Sequence, residues 1–97
     1  MEKKYFIKYH VIEQAERMVD KYAFLAEEKE YAVREQNLSK EEAEKNFAEA
    51  DKLYTLSDKL HQTILNCCEG RSYKGTWEQV QFLTKHAQQR DCLDALI

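Results

Sequence analysis

Five side chains in this sequence, His61, Cys67, Cys68, His86 and Cys92, are soft enough to ligate zinc as imidazoles and thiolates. Structural zinc sites draw cysteine pairs together from a turn, usually spaced C-x₂-C, whereas neighbours such as Cys67 and Cys68 diverge by about 100° on a helix. His61 and Cys68 lie seven apart and share a face, but that face falls in a row expected to form core. The thiols and histidines therefore read as packing residues, with no metal and no cofactor. Three cysteines, two of them adjacent, also make a poor disulfide framework, so reduced thiols and a cytoplasmic setting are expected.

Acid–base or nucleophilic catalysis needs a carboxylate pair, or a Ser/His/Asp or Cys/His set, gathered in a pocket. Carboxylates are plentiful, but Glu27, Glu28, Glu30, Glu41, Glu42 and Glu44 read as a solvated, mutually repelling surface. The E-x-x-H motif of di-iron bundles does not occur. The chain is expected not to be an enzyme.

Two surfaces remain that could bind a macromolecule. Lys3, Lys4, Lys8, Arg71, Lys74 and Lys85 are interleaved with Tyr5, Tyr9, Tyr73 and Trp77, a mixture able to hold phosphates and stack bases. The Arg71–Gly75 segment, leading into a helix, could also offer amides to an anion. The second surface joins Phe24 and Tyr31, seven apart and opposite the apolar stripe of their helix, to Glu27, Glu28, Glu30 and Glu35. Aromatic anchors supply affinity and peripheral charge supplies steering, so this set suits a protein partner.

The elements that must position these groups follow from composition and period. With no proline and two glycines in 97 residues, the chain has little material for sheets and tight turns. It is short enough for one core, and the expected unit is a single helical domain spanning residues 1–97. No long uncharged window suggests a membrane span, and the opening residues lack the apolar stretch of a signal peptide.

Tyr5, Ile12, Val19, Ala26 and Val33 recur every seven residues beside Val11, Met18, Leu25 and Ala32, with Ala15 and Tyr22 widening the stripe. This predicts a helix over about 5–36. Tyr5, Ile7, Tyr9 and Val11 also alternate as a strand would, but the sequence offers no evident partner strand, so helix is preferred. Asn37, a residue tolerant of the left-handed conformation, marks the break, and Ser39-Lys40-Glu41-Glu42 is a capping box opening a second helix over about 40–69.

Phe47, Tyr54, His61 and Cys68 form one row of that helix, Leu53, Leu60 and Cys67 another, and Ala43, Ala50, Ser57 and Ile64 a small-residue row. All three are assigned to its packed side. Gly70 is expected at the position just past the helix end, with a loop over 70–75. Thr76-Trp77-Glu78-Gln79, a second capping box, opens a third helix over about 76–95, with Trp77, Val80, Leu83 and Ala87 at helical spacing. Leu93, Leu96 and Ile97 suggest a docked tail. The third helix is expected to climb far enough to cover Phe24 and to run out near Tyr31.

The expected architecture is all-α: a long, coiled-coil-like antiparallel hairpin packed with a shorter third helix, able to form a homo-oligomer if its stripe is not fully covered. Net charge is −3, from 15 bases and 18 acids. It is unevenly spread: Glu27–Asp58 holds ten acids and five bases, whereas Lys59–Arg90 holds five bases and two acids. A hairpin converts that sequence asymmetry into an acidic tip and a basic base.

The functional expectation is a small protein-binding module, an adaptor or a stoichiometric inhibitor of a larger partner, a role that small acidic helical proteins of phage or mobile elements often play. The alternative is a nucleic-acid-binding regulator using the basic end.

Overall fold

The computed structural model describes residues 3–96, and the side chains of residues 3–88. Cys92, Leu93, Leu96 and Ile97, and with them the docking of the tail, lie outside the described side chains. In chain order the elements are β1 (Tyr5–Phe6), α1 (Tyr9–Glu35), α2 (Lys40–Cys67), β2 (Cys68–Glu69), β3 (Ser72–Gly75) and α3 (Trp77–Leu96).

Helices α1 and α2 form the hairpin. Ser57 Oγ donates to the Val19 carbonyl at 2.8 Å, and Asn46 Nδ2 to that of Lys29 at 3.4 Å. Later residues of α1 thus meet earlier residues of α2, which makes the pair antiparallel. Lys29 also forms an ion pair with Glu49 across the same joint. The molecule is elongated, 52 × 28 × 19 Å, with the 36–39 connection at one end of the hairpin and the strands at the other.

The core is built from Ile12, Met18 and Tyr22 of α1, Leu60, Ile64 and Cys67 of α2, Leu83 of α3, and Ile7. Ala15, Ala26 and Ala50 are fully buried; without long side chains there, the two backbones can approach closely. Burying an aliphatic or aromatic side chain is worth about 1.5–3 kcal/mol, so this interior is the main source of stability. No helix among the described residues is long and apolar enough to cross a membrane.

Four expectations about the elements are corrected. First, residues 5–8 are not helical: Tyr5 and Phe6 pair antiparallel with Gly75 and Lys74, and the Ile7 N–H continues the ladder to the Tyr73 carbonyl at 2.8 Å. The missing partner strand lies within residues 70–75, which were expected to be a loop. Second, α2 stops at Cys67, and Gly70 sits in a two-residue turn between β2 and β3 at φ 63°, not directly past a helix end. A glycine at the first turn position, followed by a residue of negative φ, favours a tight hairpin.

Third, Asn37 is not left-handed, since no non-glycine residue described has positive φ; α1 instead ends on extended Gln36, whose N–H bonds to the Ala32 carbonyl at 2.9 Å. Fourth, the row Phe47, Tyr54, His61, Cys68 is not core. The buried positions of α2 are Ala50, Ser57, Leu60, Ile64 and Cys67, while Phe47, His61 and Cys68 are exposed. Helix α2 packs on α1 and α3 together, which draws its buried arc round to Leu60 and Cys67 and leaves the neighbouring row as a rim.

Both caps form. The Glu42 N–H donates to Ser39 Oγ at 3.2 Å. At α3 the box is reciprocal: the Gln79 N–H donates to Thr76 Oγ1 at 3.3 Å and the Thr76 N–H to Gln79 Oε1 at 2.9 Å.

An acidic aromatic groove as the candidate functional site

Helix α3 lies against the side of the hairpin that carries Tyr22. Phe82 and His86 of α3 stack edge to face, His86 meets Tyr22, and Lys59 of α2 sits over the Phe82 ring. Phe24 is two residues beyond Tyr22, hence about 200° round the helix, and Tyr31 is nine beyond, about 180°. Both therefore point away from α3, and they remain 56% and 63% exposed. The expectation that α3 covers Phe24 is thereby corrected: the reason is direction, not length.

On that open side, Phe24, Glu27, Glu28, Glu30 and Tyr31 line one groove of about 770 Å³, together with Ala32, Arg34, Gln36 and Tyr54. Glu35, the sixth residue expected there, is exposed but does not line it. Three aromatic rings face the groove, with three carboxylates against one guanidinium. Arg34 lies 3.7 Å from Glu30, a solvent-exposed i,i+4 pair of small energetic value. Partial burial, followed by the nearby Glu30 and Glu27 carboxylates, pushes the Tyr54 phenol above its ordinary range. The site therefore disfavours a further negative charge and favours a positive one.

Ala32, Arg34, Gln36 and Tyr54 are the groove residues that sequence reasoning missed, and of these Arg34 and Tyr54 bring charge and an aromatic ring. Tyr54 falls in the row that the sequence pattern assigns to the core, and no sequence signal separates it from that row.

The basic set is more dispersed. Lys4 is engaged by Glu69 at 2.7 Å, which raises the lysine pKa and lowers the glutamate's, in each case mainly through their hydrogen bond. Lys3 lies 5.2 Å from the centre of the Tyr5 ring, which in turn meets Trp77 edge-on. Lys8 precedes α1, Arg71 occupies the β2–β3 turn, Lys74 is exposed on β3, and Lys85 is carried separately on α3. Tyr73 is half-buried in the sheet rather than displayed for stacking. The segment expected to offer amides to an anion instead pairs in the sheet on both sides, and the Thr76 and Gln79 amides are taken by the capping box.

Among the described residues no cluster of three or more His, Cys, Asp or Glu side chains could hold a metal ion. His61 and Cys68 do line a common smaller groove, while Cys67 is fully buried and His86 is enclosed by Tyr22 and Phe82. Cys67 and Cys68 are free thiols.

Comparison of the chain with protein-family models, curated protein sequences and solved structures returns no match.

Proposed function

We propose that this protein is a small, non-enzymatic binding module that acts in the cytoplasm by engaging a larger protein, as an adaptor or a stoichiometric inhibitor, through the groove around Phe24 and Tyr31. One observation carries this reading: exposed aromatics line the same open groove of the helical pair as three carboxylates and a single guanidinium. Large exposed rings are the residues that most often anchor protein interfaces, and a surrounding negative field selects a basic partner and speeds its approach. The open, helix-walled form of the groove suits a protein surface better than a small substrate, which needs enclosure.

The test is capture of binding proteins from native cells on the intact chain, followed by kinetics with the partner identified. Tyr31→Ala should accelerate dissociation, and Glu27→Lys with Glu30→Lys should slow association and weaken its salt dependence. Arg71→Glu with Lys74→Glu should leave binding nearly intact. The opposite pattern, with salt-dependent nucleic-acid binding lost in the Arg71 and Lys74 variants, would replace this reading with the nucleic-acid regulator.

A further inference from the structure

The open side of the hairpin does not end at the acidic aromatic groove. Below it, a second groove of about 250 Å³ is lined by Glu16, Val19 and Asp20 of α1, His61, Ile64 and Leu65 of α2, Cys68 of β2 and Tyr73 of β3. One helical turn separates Asp20 in the lower groove from Phe24 in the upper. On α1 the lining residues Glu16, Asp20, Glu27 and Tyr31 are spaced four, seven and four apart, which keeps them on one stripe. On α2, Tyr54, His61 and Leu65 are spaced seven and four apart and form the facing stripe, which Cys68 of β2 continues. The two grooves are thus successive stretches of one furrow between α1 and α2, on the side away from α3.

We infer that this furrow is the docking site for a basic amphipathic α-helix of the partner protein; the inference rests on the binding role proposed for the upper groove. Charge complementarity gives the sign of the occupant. The acidic groups lining the furrow are Glu16, Asp20, Glu27, Glu28 and Glu30, and the only permanently cationic lining group is Arg34.

Shape gives its form. Along most of the furrow both walls are helices, whose backbone groups are already bonded internally, so an extended segment would find an edge only at the two-residue β2 at its lower end. The opposite side of the same hairpin already accommodates a helix, α3, and two helices presenting ridges and a furrow accept a third by the same packing. The floor offers apolar purchase along its length: Leu65, 53% exposed, with half-buried Val19 below, and Phe24, Tyr31 and Tyr54 above. Glu16 to Tyr31 spans about 22 Å, or roughly four turns of a bound helix.

The probes are three synthetic peptides of about 16 residues, the length of the furrow. The first carries leucines at three- and four-residue spacing among lysines, the second the same composition with leucines alternating, and the third glutamate in place of lysine. Binding to the intact chain is followed by fluorescence anisotropy.

The helix-patterned basic peptide should bind most tightly and weaken with salt. Tyr31→Ala and Leu65→Asp should each weaken it roughly tenfold, and Asp20→Lys, a surface change that spares packing, should weaken it severalfold. Glu41→Lys with Glu44→Lys, on exposed positions outside both grooves, should change it little.

Equal binding of the alternating peptide would overturn the helical occupant. Sensitivity to Tyr31→Ala without sensitivity to Leu65→Asp or Asp20→Lys would confine the site to the upper groove, overturning the furrow while sparing the binding role. Failure of both basic peptides would overturn the inference and the binding role together.

Discussion

The Tyr22 hydroxyl and His86 Nδ1 share a hydrogen bond of 2.9 Å between α1 and α3, where the two side chains are 4% and 6% exposed. This polar link in an apolar setting fixes the height at which the third helix meets the hairpin. Tyr22→Phe keeps the ring and deletes the hydroxyl, and should cost about 1–2 kcal/mol in urea unfolding. His86→Ala should cost more, because it also removes ring contacts with Phe82. A double-mutant cycle should return a coupling clearly above zero.

Alkaline pH should weaken the fold chiefly through two buried groups. Burial pushes the Cys67 thiol above its ordinary 9.0 and the Tyr22 phenol above its ordinary 10.0, so the folded state holds protons that the unfolded chain gives up first. Their contributions are complete below those ordinary values and are lost as pH rises from them toward the higher folded values. Urea midpoints should therefore fall from about pH 9 upward, and Tyr22→Phe should flatten the part of the decline above about pH 10.

The helix caps and the close-packed row make different demands. Ser39→Ala and Thr76→Ala each delete a hydroxyl that accepts a helix N–H and should cost about 1 kcal/mol. Ala50 is completely buried, and Ala50→Glu should cost several times more by forcing an unpaired carboxylate between backbones. Unchanged melting temperatures for all three would contradict the hairpin.

The two glycines are retained for opposite reasons. Gly70 has open space around it but φ 63°, so Gly70→Ala should cost about 1 kcal/mol through backbone strain. At Gly75 an added Cβ would stand 2.8 Å from Cys67 Sγ and 2.9 Å from Gln79 Oε1. Gly75→Ala should cost about 1–3 kcal/mol by overpacking, and thermal unfolding should show part of that loss recovered in the Gly75→Ala/Cys67→Ala pair.

The neighbouring thiols should react unequally. Cys68 is exposed, whereas Cys67 is buried with its thiolate disfavoured. Brief alkylation with site mapping by mass spectrometry should label Cys68 well before Cys67. A chelator should leave the helical circular dichroism unchanged; its loss would reveal a metal dependence.

The hairpin was legible in the sequence because it is local: seven-residue rows, a serine cap and a short connection act within a few turns of one another. The sheet was not. Tyr5 meets Gly75 only after two helices intervene, and β1 and β2 contain two residues each, too few to show a period. The centre of α2 was misplaced because three adjacent rows carried apolar or small residues, and only contact with α1 and α3 together selects among them. Phe24 and Tyr31 stood out as residues with no place in the apolar stripe, while Tyr54 was hidden by its own hydrophobicity.

Phe6 pairs with Lys74, so β1 must wait until both long helices and β3 have been made before it has anything to pair with. During synthesis α1 and α2 can zip together as they emerge, but the base stays unlatched until β3 and the start of α3 have left the exit tunnel. A nascent chain stalled within α2 would therefore present Ile7, buried in the folded protein, and half-buried Tyr5 uncovered. Closure of the sheet is therefore a late step that follows the pairing of the two long helices.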